Sequence, residues 1–237
     1  AEGSKGGHPE GGTHLNTQGL LSRIVGVLMK EPTVSMYRFW LAACVEAFLR
    51  GSYGLYQEFV ADSGLMSHLL EEILSGGFKC AASLQINFDL LGELLKMNKY
   101  MFSALDALLE GPRFDRLVEV MTANLVDSNV FLRAVMLSLD RFVQPLHPST
   151  GALAPTSGDG EVSEGELIPG LSGCPFKLAR VLEHKWRRLL RDLMGAVDRK
   201  DINQENICVI NTALIFLVFC RRNGCLPHCL KLLRAHD

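Results

Sequence analysis

The sequence predicts an all-α fold, a solenoid of stacked antiparallel helices, on three observations. Apolar residues recur at helical spacing: Leu90, Leu91, Leu94 and Leu95 in the run 88–98, and Val130, Leu132, Val135, Met136 and Leu139 in the run 125–142. No stretch keeps the strict alternation of a half-buried strand. Short turns of Gly, Pro and Asn separate the runs, which is how consecutive helices are folded back on one another.

Residues 1–14 read as a flexible lead, Gly-, His- and charge-containing, without the apolar centre of a cleavable signal. The absence of an initiator Met points to a fragment or a processed chain. A first helix is expected from Leu15 to Lys30, stopped by Glu31 and Pro32. Ser35 should cap a helix from Met36 to Arg50, which Gly51 ends, and Tyr53 to Ser63 and Leu65 to Ser75 follow, punctuated by Gly64 and Gly76-Gly77. The next helix runs from Lys79 to Met97. Asn98 breaks the chain before Tyr100 to Glu110, Gly111-Pro112 resets it for Phe114 to Asn124, and Asp127 is an N-cap for a helix ending at Phe142.

Residues 145–174 turn to Pro, Gly, Ser, Thr and acidic side chains, with too little apolar surface to offset the entropy of ordering, so a disordered insertion is expected there. Helical periodicity resumes over Pro175 to Val197, Asp201 can cap a strongly apolar helix to Arg222, and a last helix spans Leu226 to Ala235. The domain reading is therefore a helical region over 15–144, the insertion, and a helical region over 175–237 that continues the same array. Within it Phe88, Leu91, Leu95, Leu132, Leu139, Leu214 and Phe216 are expected to be buried.

Units beginning near Thr33, Lys79 and Asp127 are spaced by roughly 45 residues, the range of armadillo and HEAT repeats. Asp127 in the turn and Arg133 in the following helix are similar to the Asp and Arg that brace neighbouring turns in HEAT arrays. One helix of each unit lines a continuous face in such an array, so solvent-facing residues at equivalent places form a binding strip. Arg38, Trp40, Asn129 and Arg133 are the candidates for it, because Arg and Trp dominate energetic hot spots. A core role for Trp40 and a bracing role for Arg133 are the competing readings.

Other constellations are weaker. The formal charge of −2 gives no bulk attraction to nucleic acid or to an anionic membrane. Seven cysteines scattered through apolar helical sequence read as reduced thiols, hence a cytoplasmic or nuclear compartment. The apolar run 207–220 is interrupted by Asn211 and Thr212 and falls short of the ~20 residues a span requires, so membrane insertion is not expected. Cys220, Cys225, His228 and Cys229 have zinc-ligand chemistry, but Cys220 ends one helix while Cys229 lies inside the next, and no second pair completes a site. The acidic stretch 159–166 is similar to the back half of a calcium-binding loop whose first ligand position falls on Pro155, which has no carboxylate. In the basic run 184–191, Lys185, Arg188 and Arg191 share a helix face that suits a phosphate or an acidic peptide, against the plainer reading of a solvated face opposite Leu182, Trp186, Leu189 and Leu193. Nucleophile-elbow, phosphate-loop, dinucleotide and zinc-protease signatures are missing, so neither catalysis nor a cofactor is expected.

Arg38-Phe-Trp40, Val45-Glu46 with Phe48-Leu-Arg-Gly51, Phe88-Asp-Leu-Leu-Gly-Glu-Leu94, Leu125-Val-Asp-Ser-Asn129, Leu137-Ser-Leu-Asp-Arg-Phe142, and Gln204-Glu-Asn206 with Asn211-Thr212 resemble the carboxyl-terminal region of the transient-receptor-potential-channel-associated protein family, as do Arg221-Arg222 and Leu226-Pro227. The resemblance implies an armadillo-like, non-catalytic scaffold. It further implies a substrate receptor of cullin-4 RING ubiquitin ligases, with the ligase adaptor, substrate proteins and channel or receptor proteins as partners, or alternatively a structural or signalling scaffold with no ligase attached. This chain departs from the family pattern in its insertion 146–172 and its basic run 184–191.

Overall fold

The computed structural model describes residues 19–51, 54–77, 81–143, 176–179, 204–222 and 226–227. The flexible lead, the insertion expected over 145–174, the acidic stretch 159–166, the Asp201 cap, and most of the helices expected over 175–197 and 226–235 lie outside them. Among the described residues there is no strand, and the helices are α1 (Leu20–Leu28), α2 (Met36–Arg50), α3 (Leu55–Asp62), α4 (Leu65–Ser75), α5 (Ala81–Leu95), α6 (Lys99–Leu108), α7 (Pro112–Ala123), α8 (Asn129–Val143) and α9 (Gln204–Arg222).

Local chemistry explains the boundaries. Ser35 is extended, and its hydroxyl accepts from the Arg38 amide at 3.4 Å, so α2 starts where an N-cap places it. Asn98 does more than break the chain: its side-chain oxygen accepts from the amides of Tyr100 and Met101 at 3.0 and 3.2 Å, which makes it the cap of α6. Gly64 (φ 88°) and Gly76 (φ 66°) take left-handed backbone at the two ends of α4, a conformation that costs a side chain energy and glycine almost none. Pro112 opens α7, where its missing amide would have had no partner anyway. α8 begins at Asn129, so Ser128 rather than Asp127 immediately precedes it.

The helices form an all-α array in two layers. In the front row α1 packs on α2, α2 on α5, α5 on α8, and α8 on α9; behind it α3, α4, α6 and α7 pack on one another, with α3, α4 and α6 also against α5. The sequence advances from a front helix (α2, α5, α8) through back helices to the next front helix, which reproduces the unit starts expected near Thr33, Lys79 and Asp127. Phe176 extends the back layer, its ring 5.6 Å from that of Phe102 on α6, while the Asp106 carboxylate accepts from the Leu178 amide at 3.1 Å.

One apolar core runs through both layers. Phe88, Leu91, Leu95, Leu132, Leu139 and Phe216 are buried as expected. Leu214 is corrected: it is 49% exposed. Among the described helices α9 packs mainly on α8, and a run this apolar gives no periodic cue to which of its sides does so.

The closest packing is between α5 and α8. A Cβ at Gly92 would stand 3.2 Å from Phe131 Cα and 3.5 Å from Ala134 Cβ, so any side chain here makes the α8 backbone give way. Gly92→Val should therefore destabilise the fold by ~2–3 kcal/mol through overpacking. Gly92→Ala should cost less, because the helix propensity it gains, ~1 kcal/mol, offsets part of the crowding. Urea denaturation of both variants measures the difference.

Candidate protein-interaction face

The exposed side of the front row is where the helices leave apolar and charged groups open. On α2 the sequence places Tyr37, Trp40 and Cys44 at successive turns of one stripe, and all three are exposed. Trp40 is 61% exposed and braced edge-on by Phe39, ring centroids 5.5 Å apart, so it is a surface anchor and not a core residue. Phe48, also exposed, stands edge-on to Tyr56 at 5.3 Å.

Between α2, α5, α8 and α9 the same surface sinks into a hollow of about 460 Å³ lined by Arg50, Glu93, Lys96, Val130, Arg133, Ala134, Leu137 and Ile215. Leu137 and Ile215 also border a second, smaller hollow between α8 and α9, closed by Met136, Leu214, Val218, Phe219 and Arg222. The two make one groove, charged at the α2–α5 end and aliphatic at the α9 end.

The charged end is a tight cluster. Buried Glu46 accepts from Arg50 Nε and Nη2 at 2.9 and 2.6 Å one turn along α2, and this hydrogen bond above all holds the Arg50 guanidinium above its ordinary pKa. Glu93 lies 3.4 Å from Lys96 Nζ. Asp89, one turn before Glu93 on α5, has its Oδ1 sealed from water without a hydrogen-bond partner. Burial first, and the neighbouring Glu46 carboxylate second, push the Asp89 carboxyl up to about 7 against the pull of Arg50 and Arg133.

Of the residues expected to face solvent, Trp40 does so, and Arg133 lines the hollow. The solvent-facing placement of Arg38 is corrected: it is 1% exposed, because it points backwards between α2, α4 and α5. There it pairs with Glu72 and donates to Asn87 Oδ1 at 3.1 Å, while Asn87 Nδ2 donates to Glu72 Oε2 at 2.9 Å, closing a three-residue ring. His68 Nε2 comes within 3.3 Å of the other Glu72 oxygen without the alignment of a hydrogen bond. Asn129 is corrected likewise: it is buried, donates to the Val126 carbonyl, and accepts from Arg133 Nη2 at 3.0 Å. Arg133 is half-buried and lines the hollow, with Nε sealed and unbonded. Arg188 and Arg191 lie outside the described residues, as do Cys225, His228 and Cys229; Cys220 is buried, and no cluster of metal-ligating side chains occurs among the described residues. Nor does any helix among them have the length and apolarity to cross a membrane.

Sequence reasoning passed over Arg50, Asp89, Glu93 and Lys96. A signal existed: Asp89, Glu93 and Lys96 recur at one-turn spacing among the leucines of the run 88–98, a charged stripe beside the apolar one.

Residues 8–235 match a family described as "Protein of unknown function (DUF3689)". Two curated relatives, both named short transient receptor potential channel 4-associated protein, one from Homo sapiens and one from Mus musculus, are each 33% identical over 222 residues, 93% of this chain. The aligned region is 26% of either relative, so the chain spans about a quarter of their length. No solved structure matches.

Two stability outcomes follow from the clusters. Arg38→Met should lower the unfolding free energy by ~3–5 kcal/mol, because Glu72 is left without its buried partner; a chemical denaturation midpoint reads this directly. For Asp89 the folded-state pKa stands above the ordinary carboxyl value, so its contribution is complete below pH 4 and is lost as pH rises through about 7. Asp89→Asn should remove that loss, making the variant relatively more stable at pH 8 than at pH 5 by ~2 kcal/mol, after discounting for partial solvent access. Thermal melts of both proteins across pH 5–8 provide the check.

Proposed function

This chain belongs to the DUF3689 family, and on that premise we propose that it is a non-catalytic helical segment through which a larger channel-associated protein holds its protein partners. The alignment over 93% of the chain with proteins named for their association with a channel carries this reading. The geometry agrees with it: the open side of the front row gathers an exposed Trp, a Tyr and an apolar groove with a charged end, the composition of a binding surface rather than of a solvated one. Partners of the whole protein would include a channel subunit of the kind the relatives are named for.

Membership of a cullin-4 RING ligase as substrate receptor is the finer form of the same reading. It rests on the family resemblance, which covers roughly residues 36–142 and 189–234. Its mechanism would be proximity, since holding a substrate beside a loaded conjugating enzyme raises effective concentration without donating a catalytic group. Action in the cytoplasm fits either form.

Affinity capture of the full-length protein from cells, with wild-type and Trp40→Ala baits, tests the proposal. A co-recovered channel subunit supports the scaffold, and a co-recovered cullin with its adaptor supports the ligase form. Trp40→Ala should cut recovery severalfold while shifting stability by no more than ~0.5 kcal/mol, as expected for an exposed side chain. Equal recovery on both baits, or a parallel collapse of stability, removes Trp40 from the contact.

A further inference from the structure

We propose that the outward side of α2 pairs with α2 of a second copy of this chain, the two helices antiparallel across a two-fold axis beside Cys44, so that Trp40 of each copy meets Phe48 of the other. The inference deepens the interaction reading above: Trp40 then serves partner capture by joining two copies, which doubles the number of partner sites held together.

α2 turns no charged side to water. Leu41, Ala42, Val45 and Leu49 bury one side of it in the core. Met36, Tyr37, Trp40, Cys44, Ala47 and Phe48 are exposed on the other, within an arc of about 120° at about 100° per residue. Arg50, at the last residue, is the one charge among the exposed positions of α2, and it is joined to Glu46. A helix that is apolar on its outer side as well as its inner one is a helix that proteins cover.

Area, charge and shape together name a second copy as the cover. The large side chains of the stripe are 39–66% exposed, and with Tyr56 beside Phe48 the whole leaves roughly 800 Å² open, the share one partner gives to a stable interface of standard size. A two-fold contact joins one patch to its own image, so a charged patch repels itself; this one carries no unpaired charge and does not. Cys44 is the exposed residue nearest the middle of α2, and Trp40 and Phe48 stand four residues to either side of it, about 6 Å each way. Turning one helix end for end about Cys44 exchanges those two positions, so each large ring lies against the other large ring of the partner copy. Small Cys44 and Ala47 at the centre let the helix axes approach. Both rings are already held, Trp40 edge-on to Phe39 at 5.5 Å and Phe48 edge-on to Tyr56 at 5.3 Å, so pairing costs them little freedom.

Sedimentation velocity of the purified full chain tests this. A reversible dimer with a micromolar dissociation constant is expected. Trp40→Lys or Phe48→Glu, each present twice in a symmetric pair, should weaken it at least about tenfold. Mixed one to one, the two variants should pair with each other at close to the wild-type affinity. One of the two contacts then keeps Trp40 against Phe48, and the other sets the introduced Lys against the introduced Glu. A readout that alters neither ring guards against a variant that fails to fold: a short bismaleimide should join two wild-type chains into a covalent dimer, and Cys44→Ser should abolish it. A wild-type chain that stays monomeric at high micromolar concentration leaves the stripe to a different occupant and overturns the proposal. So do a dimer indifferent to both substitutions, folded variants that fail to pair when mixed, and a covalent dimer that survives Cys44→Ser. Only the purified chain is used, so failure here leaves the channel and ligase readings to the capture experiment.

Discussion

The enclosure of α5 is the constraint on which the array depends. Five helices pack around it, α2 and α8 on its flanks and α3, α4 and α6 behind, so its side chains are buried over most of the circumference. Gly92 lets α8 come in close enough for Phe131 and Ala134 to meet the α5 backbone, and the rings of Phe88 and Phe131, 5.8 Å apart, fill the space alongside. Neighbouring helices also secure the end of α5. Gln57 of α3 donates to the carbonyls of Glu93 and Lys96 at 2.8 and 2.9 Å, and Ser138 of α8 accepts from the amide of Met97, a residue held at φ 59°. Backbone carbonyls and an amide at this helix end are thus closed by side chains from both layers, which fixes α5 along its axis as well as around it.

The side of α5 that the five helices leave least covered is polar for the same reason. Five helices around α5 leave one partly covered strip, which carries half-buried Asp89 and, past the helix end, half-buried Lys96, with buried Glu93 between them. Their neighbours across the row, Arg50 and Arg133, come from α2 and α8, so the charged cluster exists only because α2, α5 and α8 are adjacent. Polar groups divide between two jobs. The Arg38–Glu72–Asn87 ring is turned inward and ties front to back layer, whereas the half-buried Arg133 joins Asn129 on its own helix and lines the hollow.

Much of the fold was legible in the chain. α2 and α4 begin and end where Ser35, Gly51, Gly64 and Gly76 place them, because caps and left-handed glycines act within a few residues and need no tertiary partner. The burial of Phe88, Leu91 and Leu132 followed from 3.6-residue periodicity. The site was less legible. Trp40 emerged as exposed and Arg133 reached the groove, but Arg38 and Asn129 went inward, and Leu214 went outward.

The sequence by itself determined the all-α class, the ends of α2 and α4 and the approximate starts of the front helices α2, α5 and α8, since propensity, capping and amphipathic period are properties of short segments. Which face each helix turns to solvent was decided only by tertiary structure. Arg38 and Trp40 sit two positions apart on one helix, and a single rotation of α2 about its axis sets one against Glu72 and Asn87 and the other toward water. That rotation is fixed by helices 34 to 49 residues away in the chain, and pairings at such distances leave no local mark on α2 itself.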